Sequence, residues 1–150
     1  MKSSVIIMTA IAGMLMGCSQ TRVIDYPTIE QRNSKSIEFY QVEISDTALT
    51  LHGDLYNRPN YWSRISSSSI LKGRTTGNTY RLVRATGIEL DKKETMPTSW
   101  NRTFSLQFEP VDPKDKLVDF DEVLPEEDGW KIEGISLEDK EKKGLLCRIE

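Results

Sequence analysis

Apolar and polar residues alternate along much of this chain, with a period of two. Phe104, Leu106 and Phe108, separated by Ser105 and Gln107, give the clearest instance. Successive side chains of a strand point to opposite faces, so this run predicts a half-buried strand. Pro110, which has no N–H to give a ladder, closes it. Leu49, Leu51 and Leu55 alternate with Thr50, His52 and Asp54 in the same way. Ile37, Phe39, Val42 and Ile44 mark a third strand whose phase slips near Tyr40-Gln41, which predicts a bulge. Between these two runs Ser45-Asp46-Thr47 has the chemistry of a turn, because short polar side chains bond their own backbone.

Weaker signals extend the pattern. Val23 to Ile29 reads as a first edge strand, and Arg58-Pro59 ends one strand before Tyr61-Trp62 begins another. Tyr80 and Leu82 flank Arg81, and Ile88-Glu89-Leu90 alternates again after Gly87. Trp130, Ile132, Ile135 and Leu137 suggest a last strand in which Gly134 allows a bulge or close packing. Residues 111–129 are acidic and read as irregular, and Glu138 to Lys143 as a solvated charged stretch. About seven or eight short strands, with Gly, Pro and Asn between them and no sustained 3.6-residue period, predict an all-β chain. The expected architecture is an antiparallel, immunoglobulin-like β-sandwich.

The first residues change the picture of where such a domain would sit. Lys2 precedes a short apolar run, Val5 to Met16, too short to cross a bilayer of roughly 30 Å as a permanent helix. The run ends in Leu15-Met16-Gly17-Cys18, and the chain turns polar at Ser19. This end resembles the lipobox of bacterial lipoproteins, in which a small residue precedes the cysteine that is acylated. The resemblance implies a signal peptide over 1–17, a lipid such as palmitate on Cys18, a tether over 18–35 and the β-domain over 36–150. The place it implies is the cell envelope, anchored to a membrane, with the outer membrane expected. Two or more acyl chains hold a protein stably at a surface without a spanning helix.

Charge and cysteine content narrow the classes. The formal net charge is −3 and the Lys and Arg residues are scattered, which argues against nucleic acid as a partner. With Cys18 acylated, Cys147 is the one remaining thiol, so the chain is not a disulfide scaffold and holds no C-x-x-C redox pair. Cys147 reads as a small hydrophobe.

With the strands in place, an ordered set of segments appears: Ser45-Asp46-Thr47, Asn60-Tyr61-Trp62 with Ile65, Gly87-Ile88-Glu89-Leu90, Phe104 to Pro110, Asp119-Phe120-Asp121-Glu122 and Gly134-Ile135-Ser136-Leu137. Over about residues 37–138 this set resembles a domain of exported proteins in Bacteroides and relatives, often placed ahead of a thioredoxin-like domain. The resemblance implies an all-β envelope module, with any redox chemistry supplied in trans by a thioredoxin-like partner.

No catalytic set is expected, nor a cofactor. His52 is the single histidine, and its position opposite Leu51 and Leu55 predicts an exposed side chain. Ser66 to Ser69 supply hydroxyls without a G-x-S-x-G elbow and read as a polar loop. Asp119, Asp121 and Glu122 are hard oxygen donors and weak Ca2+ candidates, but lack the glycine and spaced glutamate of an EF-hand loop. The acidic segment 112–128 that holds them is the basis for the alternative of a weak hydrolase. Among the aromatics, Trp62 and Trp130 are expected in the core. Trp100, in a polar stretch, and Tyr61 are the candidate ligand-binding residues, suited to a protein or a glycan because aromatic rings give large contact area at low entropy cost.

Overall fold

The computed structural model describes residues 20–125 and 128–139, and within them the chain forms strands and turns only. The strands are β1 (Arg22–Asp25), β2 (Gln31–Arg32), β3 (Ile37–Ile44), β4 (Leu49–Tyr56), β5 (Trp62–Ser63), β6 (Ser69–Gly73), β7 (Thr79–Thr86), β8 (Glu94–Thr95), β9 (Asn101–Phe108), β10 (Leu117–Glu122) and β11 (Lys131–Ser136). Nine of them form one antiparallel sheet in the order β1-β3-β4-β9-β7-β6-β10-β11-β2, and β5 pairs with β8 apart from it. The protein is therefore all-β and antiparallel, with more strands than the seven or eight expected, several of them only two residues long.

The clean period-two runs became the centre of the sheet. Leu49, Leu51, Leu55, Phe104, Leu106 and Phe108 are all buried, while their neighbours along β4 and β9 face outward. The sheet curls so that the buried faces of its two halves meet. Phe120 of β10 lies edge-on to Phe39 of β3 at 5.2 Å and to Phe108 of β9 at 6.3 Å between ring centroids. Edge-to-face contact suits the ring quadrupoles and adds about 0.5–1.5 kcal/mol to the burial itself.

Local signals are realised in detail. Tyr40 is the extra residue where the β3–β4 register shifts between Phe39 and Gln41. Ser45 Oγ accepts the N–H groups of Thr47 and Ala48, turning β3 into β4. Gly134 takes φ 68° in the bulge opposite Asp119, and its N–H donates to Asp119 Oδ1 at 2.8 Å.

Other expectations are corrected. The acidic stretch is not irregular throughout: β10 runs through it, with Val118, Phe120 and Glu122 inward and Asp119 and Asp121 outward. Ile88-Glu89-Leu90 forms no strand, because Gly87 at φ 83° turns the chain away from β7, although Ile88 is still buried. The edge strand expected over Val23 to Ile29 is realised as β1, shorter and paired with β3, and β2 pairs with β11, so residues 22–32 supply both edges of the sheet. Segment 26–30 is bonded to β11, with Glu30 N–H donating to Glu133 O and Ser136 N–H to Thr28 O.

A buried carboxylate organises the β6–β7 hairpin. Asp115, 2% exposed, accepts hydrogen bonds from Thr75 N, Thr76 N, Thr76 Oγ1 and Tyr80 OH at 2.6–2.9 Å. A Cβ at position 73 would strike this carboxylate, which explains Gly73. Burial pushes the Asp115 carboxyl up, but the hydrogen bonds to its charged form outweigh burial and hold it below the ordinary value. A lowered folded value stabilises the fold above the unfolded carboxylate pKa of about 3.9, and the contribution is lost as pH falls through the folded value. Asp115→Asn, which points an NH2 at donors, is expected to cost roughly 1.5–3 kcal/mol at pH 7. Urea unfolding at pH 7 and near pH 3 should show the gap to wild type narrowing at acid pH; an unchanged gap would count against the carboxylate's role.

Candidate functional site

Four large exposed side chains gather at one end of the sheet: Tyr56 (40% exposed), Tyr61 (56%), Trp62 (50%) and Trp100 (55%). Tyr56 ends β4 and is paired in register with Asn101, the residue after Trp100. Trp62 lies in β5, opposite Thr95 of β8. Asn57 ties the two tryptophan segments together: its backbone N–H donates to Trp100 O at 3.1 Å and its Nδ2 to Trp62 O at 3.0 Å. Asn57 Oδ1 in turn accepts the N–H of Arg58 at 2.8 Å. Pro59 suits this exit from β4, since its missing N–H falls outside any ladder.

The second segment is clamped as firmly. Met96 N–H donates to Tyr61 O at 2.8 Å, with Met96 itself buried. Arg102 pairs with Glu94 at 3.1 Å and donates to Thr95 O at 3.0 Å, holding β8 against the start of β9. Glu94 Oε1 also accepts Glu89 N–H at 2.8 Å. Lys93 Nζ sits 4.3 Å from the centroid of the Trp62 ring, a cation–π contact worth about 0.5–1 kcal/mol at an exposed site.

Two residues of this end hold left-handed backbone without being glycine, Asn60 at φ 69° and Trp100 at φ 67°. Asparagine tolerates that region; for a bulky residue such as tryptophan it is an outlier, stable only where its surroundings impose it. Trp100 N–H donates to Pro97 O at 3.2 Å, closing a turn over 97–100 that leaves Trp100 where glycine would be easiest.

Trp100 and Tyr61 thus lie in neighbouring, hydrogen-bonded segments. Trp62, expected in the core, joins them at the surface; its inward neighbour on the two-residue β5 is Ser63. Trp130 is partly buried against the core. No local pattern marks Asn57 as the staple or places Lys93 over Trp62. The pairing of β5 with β8 creates both, and two-residue strands carry no periodicity.

The acidic candidates do not converge. Asp119 faces outward and binds Arg74 Nε at 3.0 and 3.1 Å through its two oxygens, while Arg74 Nη1 contacts Glu30 at 3.0 Å. Glu122 points the opposite way, is buried, and accepts Ser66 N–H at 2.8 Å and Trp130 N–H at 3.3 Å. Burial raises the Glu122 carboxyl above its ordinary value. Adjacent strand positions face opposite sides, so Asp121 and Glu122 cannot hold one ion or act as a facing pair. Among the described residues no group of His, Cys, Asp and Glu could hold a metal ion. Cys18 and Cys147 lie outside the described residues.

His52 is half-buried rather than open, because neighbouring outward side chains cover it: Tyr40 stacks on its ring at 6.5 Å. Its Nδ1 shares a hydrogen bond of 2.6 Å with Ser105 Oγ, and its Nε2 lies 3.2 Å from Glu43 Oε1. The composition is that of a Ser-His-acid triad, but its geometry is not. The Glu43 contact is off the line a hydrogen bond needs, leaving Nε2 without a partner. Ser105 sits mid-strand between β4 and β7, and its neighbours' amides are committed to ladders rather than free to form an oxyanion hole. The Ser66–Ser69 hydroxyls likewise serve the loop, with Ser69 Oγ donating to Ser66 O and Ser68 Oγ to Val123 O.

A cleft of about 380 Å³ opens beside β1, lined by Val23 to Thr28, Glu138 and Asp139. It lies against the last described residues, whereas the aromatic end is built wholly within the described chain. Fold and surface together define an all-β domain that presents rigid aromatic loops at one end. The chain matches no family model, no curated protein and no solved structure. A fluorophosphonate probe is expected to leave Ser105 unmodified in the folded protein, read by peptide mass spectrometry; His52-dependent labelling of Ser105 would identify a nucleophile instead.

Proposed function

We propose that this protein is a lipid-anchored, noncatalytic binding module of the bacterial cell envelope that engages a protein or glycan through its aromatic end. The observation that carries the reading is the set of four exposed aromatic residues at the end of β4, in β5 and in the adjoining loops, with the Trp62 and Trp100 segments both held by Asn57. Aromatic side chains left in water on a well-packed scaffold fit a recognition surface better than a solvated one. The curled sheet reads as an immunoglobulin-like sandwich, supported by the meeting of its two halves at Phe39, Phe108 and Phe120. Loops at the end of such a sandwich are where this architecture carries recognition.

Anchoring rests on Leu15-Met16-Gly17-Cys18 and the apolar run before it. An acyl group at roughly 0.8 kcal/mol per buried CH2 would hold the domain at the membrane, and the outer membrane is the proposed site. Cys18→Ala is expected to move the protein from the detergent phase to the aqueous phase on Triton X-114 partitioning and to abolish palmitate labelling. Wild-type protein that stays aqueous and unlabelled would end the anchoring reading.

A further inference from the structure

We propose that the aromatic end binds a neutral oligosaccharide chain, with Trp62, Trp100 and Tyr61 as the stacking residues; the inference rests on the binding-module reading above and names its ligand class. Three observations favour a sugar over a protein surface. The exposed large hydrophobic residues gathered here are all aromatic, whereas the exposed aliphatic ones, Val23, Val83 and Val123, lie elsewhere, with Tyr26 the one exposed aromatic residue apart from this end among the described residues. A protein interface buries aliphatic and aromatic side chains together, while a pyranose offers a flat C–H face that one ring covers.

Exposed polar residues adjoin the aromatic ones in the chain, Arg58 and Asn60 immediately ahead of Tyr61-Trp62. The Arg58 guanidinium, the Asn60 side-chain amide and the Tyr61 hydroxyl carry no hydrogen bond within the described residues, and their neighbours Asn57 and Met96 are fixed. Such groups match sugar hydroxyls, which both donate and accept. Charge does not select the ligand, because Lys93, Arg58 and Arg102 stand against Glu94, Asp54 and Glu38, three of each sign, with Glu94 already paired to Arg102. A neutral chain fits that balance, and a polyanion does not.

The backbone supplies the third observation. Among the described residues four non-glycine positions have positive φ; two lie here, one of them the exposed Trp100, and the exposed Tyr26 beside β1 is another. A tryptophan held where glycine would be easier is explained by what its ring does outside the fold. Trp100→Gly separates the two roles: it suits the backbone and removes the ring.

The test uses the full chain in detergent micelles and follows tryptophan fluorescence during titration with cellohexaose and with chitohexaose. Saturable change with either is expected. Binding should weaken at least tenfold in Trp100→Gly and in Trp62→Ala, while Trp100→Gly unfolds at a temperature no lower than wild type. Saturation that survives both substitutions, or no saturation with either sugar, overturns the inference. The wider reading is judged separately, with a photo-crosslinking residue at position 100 in intact cells. A discrete protein adduct without sugar binding leaves the binding surface standing and its ligand wrongly assigned; neither adduct nor sugar binding ends both.

Discussion

The packing of Phe120 against Phe39 and Phe108 is the contact on which the rest depends. A nine-stranded sheet that stayed open would leave one apolar face in water. Curling brings the two halves together, and the rings of β3, β9 and β10 interlock where they meet. Burial there is near complete, with Phe104, Phe108 and Phe120 at 1% exposure or less. The connecting segments add Ile65, Ile88 and Met96 to the same core while leaving Tyr61, Trp62 and Trp100 outside it. The loops at the β4–β9 end thus anchor inward through a few apolar residues and carry their aromatic residues outward.

Rigidity at that end comes from a different source. Neither Trp62 nor Trp100 is held by burial; their carbonyls are held by Asn57, and β8 is held by Arg102. Such hydrogen bonds contribute about 1 kcal/mol each in net terms, and loops fixed beforehand would lower the ordering cost of the binding proposed for them. A glycine at position 100 would suit the turn better, so the presence of tryptophan sets local backbone preference against surface chemistry.

Long strands were legible because one physical rule governs them. β4 and β9 lie at the sheet centre with one face buried, and their sequences show plain alternation. β10 follows the same rule but was hidden by composition: its outward positions are Asp119 and Asp121, and the inward series ends in Glu122, a charged residue at a buried position. The hydrogen bonds that make Glu122 tolerable come from Ser66 and Trp130, far away in the chain, where no local pattern reveals them. Trp62 was misplaced for a related reason, since hydropathy assigns a tryptophan inward unless tertiary pairing turns it out. The polar stretch around Trp100 marked it as a surface candidate, and it is exposed, whereas nothing local marked Asn57, whose contacts are long-range.

The two edges of the sheet have a mechanical consequence. β1 and β2 are consecutive in the chain yet lie at opposite ends of the strand order, joined by a segment bonded to β11. Tension entering ahead of Arg22 meets two latches in series: first the β1–β3 pairing, then the strap of residues 26–32 along β11. Tugging on the leading end loads the rim of the domain and spares its far end, so the aromatic loops keep their shape while the chain before them is under strain.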